Sequence, residues 1–359
     1  MCENKLTRRG NVWNWTQFHK WKEKENSKIP RIPLIKKDTK IFTIGSCFAQ
    51  NLAKYFEAKN QYVHHFPQTI HFFTLSILQE LKHLLIEPQY TMDDLWITED
   101  KQYANPFRKP SFRTKTMEEM GKYSKAIEDQ ARAYLLEADV IIITLGGTEI
   151  WRNPNTKKPY LTIPYPEIFN DQMPELAEFH NLTFQENYAA LEEIYFLLRK
   201  YVPQADIIMT VSPNRLTFTV SKKDIVLANC QGKSVLRAAL GELTDKYQRN
   251  LYYFHSYELI EYSDHPIDFF DDEQRHVNTF AVTMIMNEFM KRFAVDELFD
   301  KLEYSLINQM VKERTGQSHV RSISLKRRVL ETAVKWLQVL GLYGIALNVY
   351  NRMISSKRF

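Results

Sequence analysis

The sequence predicts an α/β fold in which a mainly parallel sheet carries helices on both faces. Two observations predict it. Short apolar segments rich in Ile, Val, Leu and Phe recur at 41–44, 140–145, 207–211 and 251–254, and such runs read as strands buried on both sides. Between them lie longer stretches whose apolar residues repeat about every 3.6 positions, as helices with one buried stripe do. Alternation of this kind builds a sheet of parallel neighbours.

Taken in order, residues 1–37 read as an arm. Trp13, Trp15, Phe18 and Trp21 are spaced to pack against a body, and Pro30 and Pro33 stop any helix before the first strand. The main domain is expected over 38–297. Its first strand ends at Ile44, Gly45 punctuates, and Phe48, Ala49, Leu52, Ala53 and Phe56 then share one face of a helix over 48–58. Helices at 70–85 and 122–136 precede the second long strand. One at 184–200 precedes the third and one at 233–247 the fourth, and a last helix over 278–293 closes the domain. Residues 298–359 differ in texture: they are helical in pattern, with Lys326-Arg327-Arg328 ahead of the apolar-rich stretch 329–349. They read as an appended basic helical extension.

Composition excludes several function classes. A chain of 359 residues with 44% hydrophobic and 25% charged residues is an ordinary globular one, long enough for a substantial core. Only 10 glycines are present and no Walker or Rossmann glycine pattern occurs, which argues against a phosphate or dinucleotide loop. Cys2, Cys47 and Cys230 show no paired spacing, so neither a zinc site nor a disulfide framework is expected, and no cofactor or metal is called for. The first residues lack an apolar signal core and no stretch is long enough to span a bilayer, so a cytoplasmic location is the expectation. Residues 301–359 hold 11 Lys/Arg against 3 Glu, leaving 37 basic and 40 acidic residues in the first 300. The main domain therefore has no excess positive charge to favour nucleic acid.

Working residues of open parallel sheets gather at the carboxyl ends of the strands. Three such ends are unusual here: Gly45-Ser46-Cys47, Gly146-Gly147-Thr148-Glu149 and Ser212-Pro213-Asn214-Arg215. A hydroxyl at Ser46 stands where backbone N–H groups of a helix start can receive charge developing on a carbonyl oxygen. The plainer role for such a serine is the helix cap. As a nucleophile it needs a base, and His276 enters the last helix behind a run of acids. Acidic residues three to five positions earlier could orient the ring, with Glu273 at three and Asp272 at four. His265 is the rival base, and His64-His65 read as structural or substrate-facing. Cys47 is the alternative nucleophile, although as a helix-start residue it is expected to point into the core.

These residues resemble a known family. Gly45-Ser46-Cys47-Phe48-Ala49 is, letter for letter, the signature of GSCFA-domain proteins, a group related to the SGNH (GDSL-like) hydrolases. Thr144 to Trp151, Thr210 to Leu216, Ala228-Asn229 with Lys233 to Arg237, and Arg275-His276-Val277 are similar to that family's further blocks, in matching order. The resemblance implies a three-layer α/β/α flavodoxin-like sandwich, with Ser46 as nucleophile and His276 as base. It also implies ester cleavage or transfer without a metal, often of O-acetyl groups on glycans. The oxyanion would rest on N–H groups of Ser46 and of Gly146 or Gly147. The position resembling the family's oxyanion asparagine holds Thr148, and the acid three residues before the histidine is Glu273 rather than Asp.

Beside the cleft, Glu149 is expected to act as a second carboxylate or to pair with Arg215 or Arg237, and Asn214 to touch substrate. Trp151, with Trp96 and Tyr103 elsewhere, offers rings on which a sugar could stack. The expected function is a serine esterase or O-acyltransferase acting on an acylated carbohydrate or glycan precursor. The alternative is a non-catalytic glycan-binding or polysaccharide-assembly protein on the same fold. The basic extension would touch an anionic inner membrane face or an assembly partner.

Overall fold

The computed structural model describes residues 30–59, 61–66, 70–98, 100–108, 112–161, 176–263 and 269–299, with 306, 307 and 310. Most of the arm, nearly all of the basic extension, and His265 lie outside the described residues.

In chain order the elements are β1 (Ile41–Gly45), α1 (Cys47–Ala58), β2 (Val63–His65), α2 (Thr74–Leu85), β3 (Trp96–Ile97), β4 (Tyr103–Ala104), β5 (Arg113–Thr114), α3 (Met117–Leu136), β6 (Val140–Leu145), β7 (Glu149–Arg152), β8 (Glu178–Asn181), α4 (Phe184–Tyr201), β9 (Asp206–Val211), α5 (Ile225–Lys246), β10 (Leu251–Phe254), α6 (Ser256–Glu261) and α7 (Thr279–Phe293). Five of the strands form one sheet in the order β10-β9-β6-β1-β2, every pair parallel. Counted along the chain this is the 2-1-3-4-5 order of a flavodoxin-like sheet, whose winding reverses between β1 and β6. The carboxyl ends of those two strands stand side by side, Gly45 level with Thr144.

Alternation along the strands divides the core between two helical layers. Ile41, Val140, Ile142, Ile208 and Phe254 pack with Phe48, Leu52 and Phe56 of α1, Ile260 of α6, and Ile285, Phe289 and Phe293 of α7. Phe42, Ile44, Ile141, Ile143, Ile207 and Met209 face the other way, onto Ile77 and Leu81 of α2, Ile127 and Leu135 of α3, Leu191 and Ile194 of α4, and Leu236 and Leu240 of α5. Both faces of the sheet are thus apolar, which is why its strands read as unbroken hydrophobic runs. Each fully buried aliphatic side chain contributes about 1.5–3 kcal/mol of burial free energy.

All four long strands fall where the sequence places them, while helix starts differ for identifiable reasons. Helix α3 begins at Met117 rather than 122, because a capping box joins Thr116 and Glu119 ahead of the apolar stripe. Helix α5 begins at Ile225 rather than 233, capped by Asp224, and its first turn exposes Ile225, Val226 and Leu227, so no buried stripe marks it. Helix α2 begins at Thr74 rather than 70, since residues 71–73 cross the strand ends instead: the His71 N–H donates to Gly45 O, and Phe72 O accepts from Gly146 N–H. Strand β2 escaped prediction because it is three residues long, at the sheet edge, and two of the three are histidines. The described end of the arm docks beside α7, where Ile32 N–H donates to Arg292 O, Leu34 and Ile35 N–H donate to Phe293 O, and the Ile35 side chain is buried.

Candidate active site

At the β1–α1 junction the backbone admits only glycine. Gly45 has φ +138°, and a Cβ there would lie 2.2 Å from Thr144 O. Ser46 follows as the cap of α1. Its Oγ accepts from the Phe48 N–H at 3.3 Å and shares a 2.8 Å hydrogen bond with Thr144 Oγ1. Its N–H donates to Thr144 O and Oγ1, each at 2.9 Å, and only 1% of the residue is exposed. The serine is thus held into the sheet by β6.

Cys47, the first helical residue, does not point into the core as expected; Phe48 and Ala49 do. It is partly exposed, and Asn214 Nδ2 donates to its Sγ at 2.9 Å. Burial pushes the thiol up, opposed by the Asn214 hydrogen bond and by the charges of Arg275 and Lys233.

The loop after β6 differs from the expected oxyanion hole. The N–H groups of Gly146 and Gly147 both reach Phe72 O, at 2.8 and 3.4 Å. Thr148 is buried against α5, its Oγ1 3.1 Å from where a Cβ on Gly232 would stand. Glu149 pairs with neither arginine named for it: Thr219 Oγ1 donates to it at 2.8 Å, while Arg237 binds Glu258. Arg215 lies over the Phe270 ring and donates from Nη1 to Gln274 O.

Lys233 ties two of the three loops together. Its Nζ donates to Gly146 O and to Ser212 O, both at 2.7 Å, and burial pushes its pKa down to about 7. Sequence reasoning gave this lysine no role. The signal was present, since it falls on the same α5 face as Leu236, Leu240 and Leu243, and a lysine on a buried stripe calls for acceptors.

The fourth segment is a hairpin. Phe270 pairs antiparallel with Val277, Asp271 N–H donates to His276 O, and a turn with Gln274 at φ +57° reverses the chain. The fold-back sets Asp271 opposite His276, with Oδ2 3.4 Å from Nδ1. The acid that faces the ring is therefore Asp271, five positions before the histidine, while Glu273 and Asp272 sit in the turn. Five positions is the far end of the spacing the sequence allowed, and cross-strand pairing selects it. Burial raises the Asp271 carboxyl, but the N–H groups of Arg275 and His276 and the nearby imidazole outweigh it and hold it below the usual range.

Asn214 joins this hairpin to the helix start. Val277 N–H donates to its Oδ1 at 2.9 Å, which fixes the amide orientation and turns Nδ2 to Cys47. Arg215 N–H donates to Arg275 O alongside. The three strand-end loops and the histidine hairpin therefore meet at the reversal point of the sheet. Among the described residues, no cluster of three or more His, Cys, Asp or Glu is placed to hold a metal ion.

The family model described as GSCFA family matches residues 40–289. No curated protein matches the chain. Among solved structures, an acetyl xylan esterase from the rumen bacterium Butyrivibrio proteoclasticus is 12% identical with a TM-score of 0.28, over 62% of this chain. The match spans 56% of that esterase's length.

Proposed function

The chain belongs to the GSCFA family, and from that premise we propose that it is an acyl-transfer enzyme that removes or moves an ester-linked acyl group on a carbohydrate. One observation carries the reading: an acid–histidine pair 3.4 Å apart meets a helix start at the reversal point of a parallel sheet. Asp271 orients the His276 imidazole and stabilises its cation. His276 takes the proton of a nucleophile at the start of α1 as that group attacks the ester carbonyl, then gives it to the departing alcohol. Water completes hydrolysis, and a sugar hydroxyl completes transfer.

Trp151 on β7, two residues from the Gly146-Gly147-Thr148-Glu149 loop, is half-buried and edge-on to Phe179. It supplies the aromatic face that supports a sugar as substrate. A cytoplasmic glycan precursor at an anionic membrane face is the setting we propose, since it gives the basic extension a role.

The test is acetate release from acetylated xylo-oligosaccharides and p-nitrophenyl acetate, in water and with oligosaccharide acceptors. His276→Ala is expected to lower the rate by about 10²- to 10⁴-fold, the usual worth of a general base, and Asp271→Asn by less. Wild-type protein that neither releases nor transfers an acyl group would remove the enzymatic reading. Oligosaccharide binding without turnover would establish the glycan-binding alternative in its place.

A further inference from the structure

We propose that Cys47, not Ser46, is the nucleophile of this cleft, and that its own N–H together with Asn214 Nδ2 receives the oxyanion. The inference rests on the acyl-transfer reading and names the residue on which the acyl group is carried.

The two neighbours differ in what is left over for chemistry. Ser46 Oγ is committed on both sides, accepting from Phe48 N–H and bonded to the Thr144 hydroxyl, and the residue is buried. An attacking serine would have to leave both contacts and uncap α1 in the same step. Cys47 is half-buried, and among the described residues the side chain that reaches its Sγ is Asn214.

The donors divide the same way. Ser46, Gly146 and Gly147 N–H are taken up by Thr144 and Phe72, and Phe48 and Ala49 N–H by Ser46. Among the described residues the Cys47 N–H has no other residue's acceptor, so it is the helix-start donor still open to a ligand. Asn214 Nδ2 stands 2.9 Å from the sulfur, and an amide nitrogen carries two hydrogens, so it can shift to an oxygen forming beside that sulfur.

Burial raises the Cys47 thiol, and the charges around it oppose that rise. The start of α1 carries the positive end of the helix dipole, and Lys233 and Arg275 add positive potential. Asn214 links the sulfur to the Val277 N–H, one residue from His276.

In the proposed step the Cys47 S–H proton passes to His276 and the sulfur attacks the ester carbonyl. The carbonyl π pair moves to oxygen, received by Cys47 N–H and Asn214 Nδ2. Collapse breaks the carbon–oxygen bond, and the alkoxide leaves with the proton from His276. A thioester on Cys47 remains, which water or a sugar hydroxyl then cleaves with His276 as base. Lys233, by holding the Gly146 and Ser212 carbonyls, is a positioning residue.

The experiment uses the full chain and p-nitrophenyl acetate, quenched in acid during turnover, digested and mapped by mass spectrometry. The expected result is an acetyl group on Cys47 that neutral hydroxylamine removes, as it does a thioester. Cys47→Ala should lose at least 100-fold in rate, whereas Ser46→Ala should keep the Cys47 adduct and at least a tenth of the rate, with a lowered melting temperature. Acetyl on Ser46, or turnover unchanged in Cys47→Ala, overturns the inference while leaving acyl transfer standing. No release and no adduct in wild type removes both. Should Cys47→Ala fail to fold, the wild-type adduct map decides alone.

Discussion

Immediately behind the cleft, His71 has no room to be charged. Its ring is buried edge-on to Phe66, and its N–H holds Gly45 O at the nucleophile turn. Burial drops its pKa from 6.5 to about 4; Glu80 pulls it up, while Arg108 and His65 push it further down. Between those values the unfolded chain binds the proton and the folded one does not, so stability is full above pH 6.5 and falls as the pH drops towards 4. Urea unfolding of wild type at pH 7 and 4.5 should show a loss from this residue of about 2–3 kcal/mol. His71→Leu should lose correspondingly less between the same pH values, and equal losses would show that His71 does not set the acid limit. At this scale the sequence marked Ser46, Asn214 and His276 through their positions at strand ends and a helix start. It could not choose between Asp271, Asp272 and Glu273, because only the hairpin decides which carboxylate crosses over to the ring. Nor could it tell which of Ser46 and Cys47 faces the cleft, since adjacent residues at a helix start diverge by about 100°.

One buried ion group joins α2, α3 and the connection after β4. Arg108, fully buried, binds Glu80 of α2 and Glu128 of α3 and lies over the rings of Phe66 and Tyr90. The connection after β4 is thereby fixed against two helices. Removing one partner strands the other charge in a dry site, which costs about 3–5 kcal/mol, whereas removing both charges together can be nearly neutral. Arg108→Met should therefore lower the denaturation midpoint sharply, and Arg108→Met with Glu80→Met should recover most of the loss. A double variant no better than the single one would show that packing, not charge, sets the cost. Strand positions were legible here because both faces of the sheet are apolar. The starts of α3 and α5 were not, because Thr116 and Asp224 act as caps through local hydrogen bonds that carry no hydrophobic period.

Charge is divided over the whole molecule. The first 300 residues carry 37 basic and 40 acidic side chains, and 301–359 carry 11 basic and 3 acidic. No helix among the described residues is long and apolar enough to cross a membrane. Near an anionic surface each Lys or Arg is worth about 1 kcal/mol and is screened by salt. Liposomes containing phosphatidylserine should therefore retain the full chain at low ionic strength, release it at high salt, and fail to retain a chain ending at Asp300. Retention indifferent to that truncation would remove the membrane role.

By itself the sequence determined the layer architecture, the four long strands, the family and the neighbourhood of the site. Those follow from hydrophobic period and from short blocks whose order along the chain survives in one dimension. Tertiary structure alone decided which groups in that neighbourhood are free to react. Thr144 takes the Ser46 hydroxyl from the next strand, Phe72 takes the glycine N–H groups, and Lys233 and Asn214 reach in from 21 and 63 residues' separation from their partners in Ser212 and Val277. A hydrogen bond is local in space and not in sequence. The donors and acceptors left open in the cleft are those that distant elements did not claim.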